Sequence, residues 1–440
     1  MTVNPYWGMP LPPHGPSGDP GTPAPARRGL SRFELRGAWA IITWVVLATI
    51  LLVPFTNVYL PGADRKYSVM SILWLVLLIC LVLAPSFLER GWSSILAWML
   101  LLFVIRYVYG WLLSRFPEFM DDSTRQMTRP LLWAWILAAV MREERLRWLG
   151  TNLFVIGSTL GATLHLMGIG VGREFGSSGM ARTSAFELNA NVLGVIYGTA
   201  FIMCLARMIQ PRRGLGITPR ALFALAGIAN LAGLSATGSR TAGVFIIVGS
   251  LTLFMLEMRR ARWSIPAILA VTCLVGAIWG VAAQQTVISE RTATLREEGL
   301  KSEDRVRMMP VLIEQFSRSP IYGLGPENYR VELGRRSQTG DPGVGIVAHN
   351  QLLMFAVEMG IFGLIPFIST CVLLLLHSWK VRHLEGGLPL ALSLPCVVTA
   401  WVTSNVAFHW HFHFIVAYVA ASFGAMKFSH PPVATDLETR

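Results

Sequence analysis

Charged side chains are scarce in this sequence. They make up 14% of its 440 residues, while 53% are hydrophobic; a soluble domain carries roughly 25% charged residues. That shortage excludes an ordinary water-soluble globule. Cysteine is scarce too. Cys80, Cys204, Cys273, Cys371 and Cys396 all fall in apolar runs with no CxxC among them, which argues against a disulfide framework or a thiolate metal site and leaves five small hydrophobes. No GxxxxGK[ST] stretch occurs, so there is no P-loop nucleotide site. Residues 1–30 hold almost no aliphatic side chains. They do not read as the apolar core of a signal peptide, and their Pro- and Gly-rich make-up predicts disorder.

What fills the chain instead is a series of apolar runs of the length that crosses a bilayer, about 18 to 25 residues. The expected fold is an all-α polytopic membrane protein with about twelve spans, near 37–60, 68–88, 93–113, 127–141, 149–168, 187–206, 220–236, 241–257, 264–285, 347–376, 388–407 and 411–427. The corresponding divisions are a disordered tail at 1–36, spans one to nine over 37–285, a large outer loop carrying short helices at 286–346, spans ten to twelve over 347–427, and a short tail at 428–440. With the N-terminus inside, inner segments carry 19 Lys and Arg and the short outer loops carry 8. The positive-inside rule therefore predicts that both termini are cytoplasmic. The same rule accounts for the net charge of +12 as loop charge, with no nucleic-acid partner implied.

That orientation gathers the polar residues best suited to chemistry on one side. Arg182, Asn189 and Asn191 lie where the sixth span begins. Ser235-Ala236-Thr237-Gly238-Ser239-Arg240-Thr241 is the tight outer turn between spans seven and eight. The loop 286–346 carries nine basic and nine acidic side chains and runs into His349-Asn350-Gln351 at the mouth of span ten. Spans six, eight and ten all start outside, so their free N–H groups and positive dipole ends face outward, where an anion can sit. Hydroxyls, backbone N–H groups and a guanidinium at 235–241 suit a phosphate; a plain hairpin turn with a snorkelling Arg240 accounts for the same residues. In the loop, Ser302 is a candidate N-cap, and Val306, Met309, Ile313 and Phe316 recur at helical spacing. Pro310 is expected to kink or shorten that helix.

His349 at a positive helix end favours the neutral imidazole that a general base needs. Glu358 is nine residues on, about half a turn out of phase, so it is expected to face another helix or a polar cavity. Ala356, Gly360 and Gly363 on the His349 side form a small-residue face suited to close helix contact. Arg106, inside the third span, is functional, paired with a carboxylate, or snorkelling. The alternating His409, His411 and His413 read as interface residues rather than metal ligands, because alternation does not suit a helix end.

SATGSRTAG at 235–243, Asp304-Arg305, Ser319-Pro320 with Gly323-Leu324-Gly325-Pro326, and HNQLLMFAVEMGIFG at 349–363 together resemble the O-antigen ligase family and its related polysaccharide polymerases. RTSAFELNANVLG at 182–194 resembles the family's earlier outer loop. The resemblance implies a GT-C-like helical glycosyltransferase of the inner membrane that uses a glycan on a polyprenyl diphosphate as donor. Its acceptor would be a hydroxyl of a glycan, glycolipid or other molecule, met at the membrane lipid surface facing the periplasm or exterior. By that resemblance Arg240 and Arg305 hold the diphosphate and His349 is the catalytic base. Arg182, Asn191, Ser239, Asn350 and Glu358 are possible supporting residues, with no metal and no cofactor. In the family an aromatic often follows the loop arginine by four residues; Met309 stands there. Two rivals remain: a twelve-span transporter or flippase, and a metal-using glycosyltransferase relying on Asp64 or on Asp121-Asp122 in the first outer loops.

Overall fold

The computed structural model describes residues 38–58, 69–83, 86–114, 117–175, 181–209, 217–257, 304–330, 350–401, 403 and 406–429. The expected ninth span, most of the long loop, the N-terminal tail, residues 430–440, Asp64, Ser302 and His349 lie outside them.

The described chain is helical: α1 (Ala38–Leu51), α2 (Val69–Leu83), α3 (Ser86–Gly91), α4 (Ser94–Leu113), α5 (Pro117–Val140), α6 (Glu144–Leu166), α7 (Ala190–Ile209), α8 (Ile217–Thr237), α9 (Arg240–Glu257), α10 (Asp304–Arg318), α11 (Gln351–Glu385), α12 (Leu388–Ala400) and α13 (Trp410–Ser429). Five of them, α4, α7, α8, α9 and α11, are long and apolar enough to cross a membrane. Shorter apolar helices lie in α1, α2, α12 and α13. This is an integral membrane protein.

Helices α7 and α13 are apolar all round, and such helices belong in the interior. From Leu193 to Arg207 every residue of α7 is buried, and α13 is buried from His411 to Ser422. Helices α8 and α9 pack on α7; α5 and α11 pack on α13; α4 packs on α11. Phe154 of α6 stacks on Phe414 of α13 with ring centroids 4.5 Å apart.

Polar contacts fix which helix ends lie together. At one end Arg147 of α6 pairs with Glu385 at 2.7 Å, and the Tyr418 hydroxyl donates to the same carboxylate at 3.1 Å. Glu257, the last residue of α9, accepts from Gly387 N just past α11. Helices α9 and α11 thus finish at the same end, and their starts, at Arg240 and Gln351, point to the opposite one.

The structure departs from the sequence reading in several places. It is not purely helical. Strands β1 (Val171–Phe175) and β2 (Ala181–Ala185) form an antiparallel hairpin between α6 and α7. The segment is too polar and glycine-rich to bury a helix face, and pairing satisfies its backbone instead. Helix α5 begins at Pro117, ten residues before the expected fourth span, so Asp121 and Asp122 lie on a helix rather than in a loop. Pro310 sits inside α10 without ending it; it removes one backbone donor, and packing on α11 holds the rest of the helix. His411 and His413 are 3% and 0% exposed. They are interior residues of α13, not members of an interfacial belt, because α5 and α11 cover that helix.

Candidate functional site

The site is built around an interruption in α11. Asn350 caps the helix, its side chain accepting from Leu353 N at 3.0 Å. The helix runs to Met359 and breaks at Gly360, whose φ of 59° and ψ of −144° are not helical. A break inside a span frees polar backbone that lipid cannot satisfy, so protein must cover it. The segment following α10 does so. In an unbroken helix Val357 O would accept from the N–H of residue 361, and Glu358 O from that of residue 362. Here Leu324 N donates to Val357 O at 2.8 Å, Gly325 N to Glu358 O at 2.9 Å, and Ile361 N donates to Pro320 O at 3.0 Å. The loop supplies the partners the helix has lost.

Glycine on both sides permits this approach. Gly323 has a φ of 73°, and a Cβ there would collide with the Glu358 and Met359 backbone. A Cβ on Gly360 would collide with the Ile321 and Pro320 carbonyl groups. The close contact expected at Gly360 is therefore real, but its partner is a loop and not a helix. Gly363 meets Met359 and Phe355 of its own helix.

Beneath the crossing lies a cluster of charge. Arg106 of α4 is 1% exposed, Glu358 0% and Glu327 3%. Arg106 Nε donates to Glu358 Oε2 at 3.1 Å and Nη2 to Glu358 Oε1 at 3.2 Å. The same Nη2 donates to Glu327 Oε1 at 2.9 Å, and Glu327 N donates to Glu358 Oε1 at 3.0 Å. Arg330 forms an ion pair with the other oxygen of Glu327. Two guanidiniums and two carboxylates balance, as buried charge requires. The Phe408 ring lies 5.1 Å from the Arg106 guanidinium carbon. Asn328 adds a tie to the end of α4, donating to Leu113 O at 2.9 Å. Burial is the largest influence on Arg330 and works against its charged form, yet Glu327, Tyr329 and Glu358 together outweigh it and raise the guanidinium's pKa. Burial, with Glu327 and Glu358 adding to it, likewise pushes the Tyr329 phenol up.

A second group forms at the start of α9. Gly238, with a φ of 61°, turns the chain out of α8. Ser239 caps α9 by accepting from Ala242 N at 3.2 Å and donates to Asn191 Oδ1 at 2.8 Å. Asn191 in turn receives a backbone tie through its own N–H, which donates to Asn189 Oδ1 at 2.9 Å. Arg240 is the first residue of α9 and half-buried. Thr241 Oγ1 beside it is buried with no partner among the described residues.

The structure thus brings Asn191 and Ser239 into direct contact, and Glu358 into contact with Arg106. Arg305 is the second residue of α10, and Arg182 stands opposite Glu174 in the hairpin. His349 immediately precedes the described Asn350. Glu327 and Arg330 were missed by sequence reasoning. Nothing marks Glu327 among the eighteen charges of the loop, because its partner, Arg106, is more than two hundred residues away, and Arg330 joins the cluster only through Glu327. Among the described residues no three His, Cys, Asp or Glu side chains converge as metal ligands.

Residues 222–368 match the family model described as O-antigen ligase, which supports assignment to that family. The matched region runs from α8 through α10 to the second half of α11, and it contains Arg240, Arg305, His349, Asn350 and Glu358. No curated protein matches the chain.

Proposed function

Taking the O-antigen ligase family assignment as the premise, we propose that this membrane enzyme transfers or polymerises a glycan from a polyprenyl-diphosphate donor onto an acceptor hydroxyl. The fold is read as GT-C-like with about twelve spans and the divisions given above. Both termini are read as cytoplasmic, and the site as open to the extracytoplasmic face of the inner membrane. The observation that carries the proposal is the family match over 222–368. It takes in three candidate residues at three helix starts: Arg240 opening α9, Arg305 opening α10 and His349 just before α11.

The chemistry follows from those positions. The acceptor oxygen attacks the anomeric carbon, the bond from that carbon to the diphosphate oxygen breaks, and the hydroxyl proton passes to neutral His349. Diphosphate is already a good leaving group and needs charge stabilisation more than protonation. Arg240 and Arg305 supply that stabilisation with bidentate donors, aided by the helix N-termini on which they sit. Asn191 and Ser239 hold the turn that carries Arg240, and Arg182 and Asn350 are assigned supporting roles. In-line displacement inverts the anomeric configuration, and no metal is required.

The test is reconstitution of purified protein in liposomes with a polyprenyl-diphosphate glycan and its acceptor. Transfer should release free polyprenyl diphosphate. Movement of the donor between leaflets without transfer would instead favour a flippase.

A further inference from the structure

We propose that Arg106 is a positioning residue for the transfer reaction: through Glu358 and Glu327 it fastens the 320–330 loop into the break of α11, and so sets the placement of both the His349 and the Arg305 segments. The proposal rests on the reading of His349 and Arg305 as site residues.

Three observations meet here. The first is connectivity. Helix α10 ends at Arg318 and leads within two residues into the inserted loop, and Gly323 N donates back to Ser319 O at 2.9 Å. The end of α10 is therefore anchored at the break, and Arg305 lies thirteen residues away along a helix that packs on α11, about 20 Å at 1.5 Å per residue. On the other side of the break the half-helix Gln351–Met359 leads back to Asn350 and His349. One joint controls both arms.

The second is geometry. The three backbone bonds between loop and helix place the two chains in register, but short backbone bonds alone do not choose between a docked and an undocked loop. The side chain that closes the joint is Arg106. One guanidinium nitrogen of it bonds both Glu358 on the helix and Glu327 on the loop, so it bridges the two from a third element, α4.

The third is cost. Buried ion clusters are seldom better for stability than apolar packing of the same volume. A cluster that served only to fill space between α4 and α11 would be replaceable by apolar side chains of the same volume. Directional charge at this joint specifies one arrangement of loop against helix. Catalysis needs that, because misplacement of a base or clamp by about 1 Å can cost 10²-fold in rate.

The experiment uses a cysteine-free, full-length protein in liposomes. The charge-balanced variant Arg106→Gln with Glu358→Gln leaves the Glu327–Arg330 pair intact and avoids a lone buried charge. Its kcat should fall about 10²-fold, with KM for the lipid donor changed less than threefold. Tyr322 on the loop and Phe362 beyond the break are exposed and stack with centroids 6.0 Å apart. Replacing both with cysteine and joining them with a short bifunctional thiol reagent should restore most of the lost kcat in the charge-balanced variant. The same link should restore nothing in His349→Ala or Arg305→Ala. Spin labels at Ser317→Cys and Ile365→Cys, read without any substrate, should show one distance in the parent and a broadened distribution in the variant, narrowed again by the link. Wild-type kcat in the variant, or a linked variant with a narrow distance distribution that stays inactive, would overturn the proposal. A parent with no transfer activity but the same spin-label behaviour would count against the proposed function while keeping the joint.

Discussion

Arg106 on α4 and Glu358 on α11 face each other through two hydrogen bonds of 3.1 and 3.2 Å, with both side chains withdrawn from solvent. Removing one member of such a pair leaves the other charge buried and uncompensated, at a cost of about 3–5 kcal/mol. Glu358→Leu should therefore lower the thermal unfolding temperature of the purified protein sharply. Arg106→Leu with Glu358→Leu should lose clearly less than the sum of the two single changes, since together they remove both charges. Additive losses in that double-mutant cycle would show that the two residues are not coupled.

Gly360 and Gly323 combine positive φ with backbone contact on the Cβ side, whereas Gly168, also at positive φ, has open space where a Cβ would sit. Gly168→Ala should cost only the conformational strain, about 1 kcal/mol. Gly360→Ala and Gly323→Ala should each cost more, because the loop must also leave the break. Limited proteolysis between Ser319 and Arg330 reads this directly. Faster cleavage in Gly360→Ala and Gly323→Ala but not Gly168→Ala is expected, and equal rates in all three would contradict the docking.

The orientation rests on the excess of Lys and Arg in the inner segments. Single cysteines at Gly340 and at Gly214, both outside the described residues, should label oppositely with an impermeant thiol reagent. Gly340→Cys should react in intact cells and Gly214→Cys only after lysis. Labelling from the same side would remove the extracytoplasmic site.

For the diphosphate clamp, Arg240→Lys and Arg305→Lys should each lose most transfer activity while expression is unchanged, because lysine keeps the charge but not the planar fork. Full activity in Arg240→Ala would take Arg240 out of the site.

Much of the helical framework was legible in the sequence. Apolar run length located α4, α7, α8, α9 and α11 to within a few residues, except that α11 continues to Glu385. Its last turns are polar and project past the apolar run, held there by Arg147 and Tyr418. The hydroxyl-rich turn at 235–241 was visible as a helix start, and Ser239 is its cap. The phase of Glu358 against His349 was enough to point it at another helix, and Arg106 stood out as a charge inside a span. What periodicity could not supply was the joint itself. Gly360 fits a small-residue helix face as well as it fits a break, and only the approach of Ile321 decides between them. Glu327 looks like any solvated loop carboxylate until α4 brings Arg106 to it. The hairpin was missed for a related reason: its strands are short, and their pairing depends on a register that no repeat in the sequence announces.

The central claim is that His349 acts as base and that the arginines, not a metal, stabilise the leaving diphosphate. One assay tests it most directly: transfer by purified protein with native lipid donor and acceptor, with and without EDTA, on wild type, His349→Ala and Asp64→Asn. The account predicts that EDTA has no effect, that Asp64→Asn is active, and that His349→Ala still binds donor but transfers about 10²- to 10⁴-fold more slowly. The wild-type rate should fall as pH drops below the imidazole pKa, because protonation removes the base. EDTA-sensitive transfer by the wild type, together with an active His349→Ala, would contradict it.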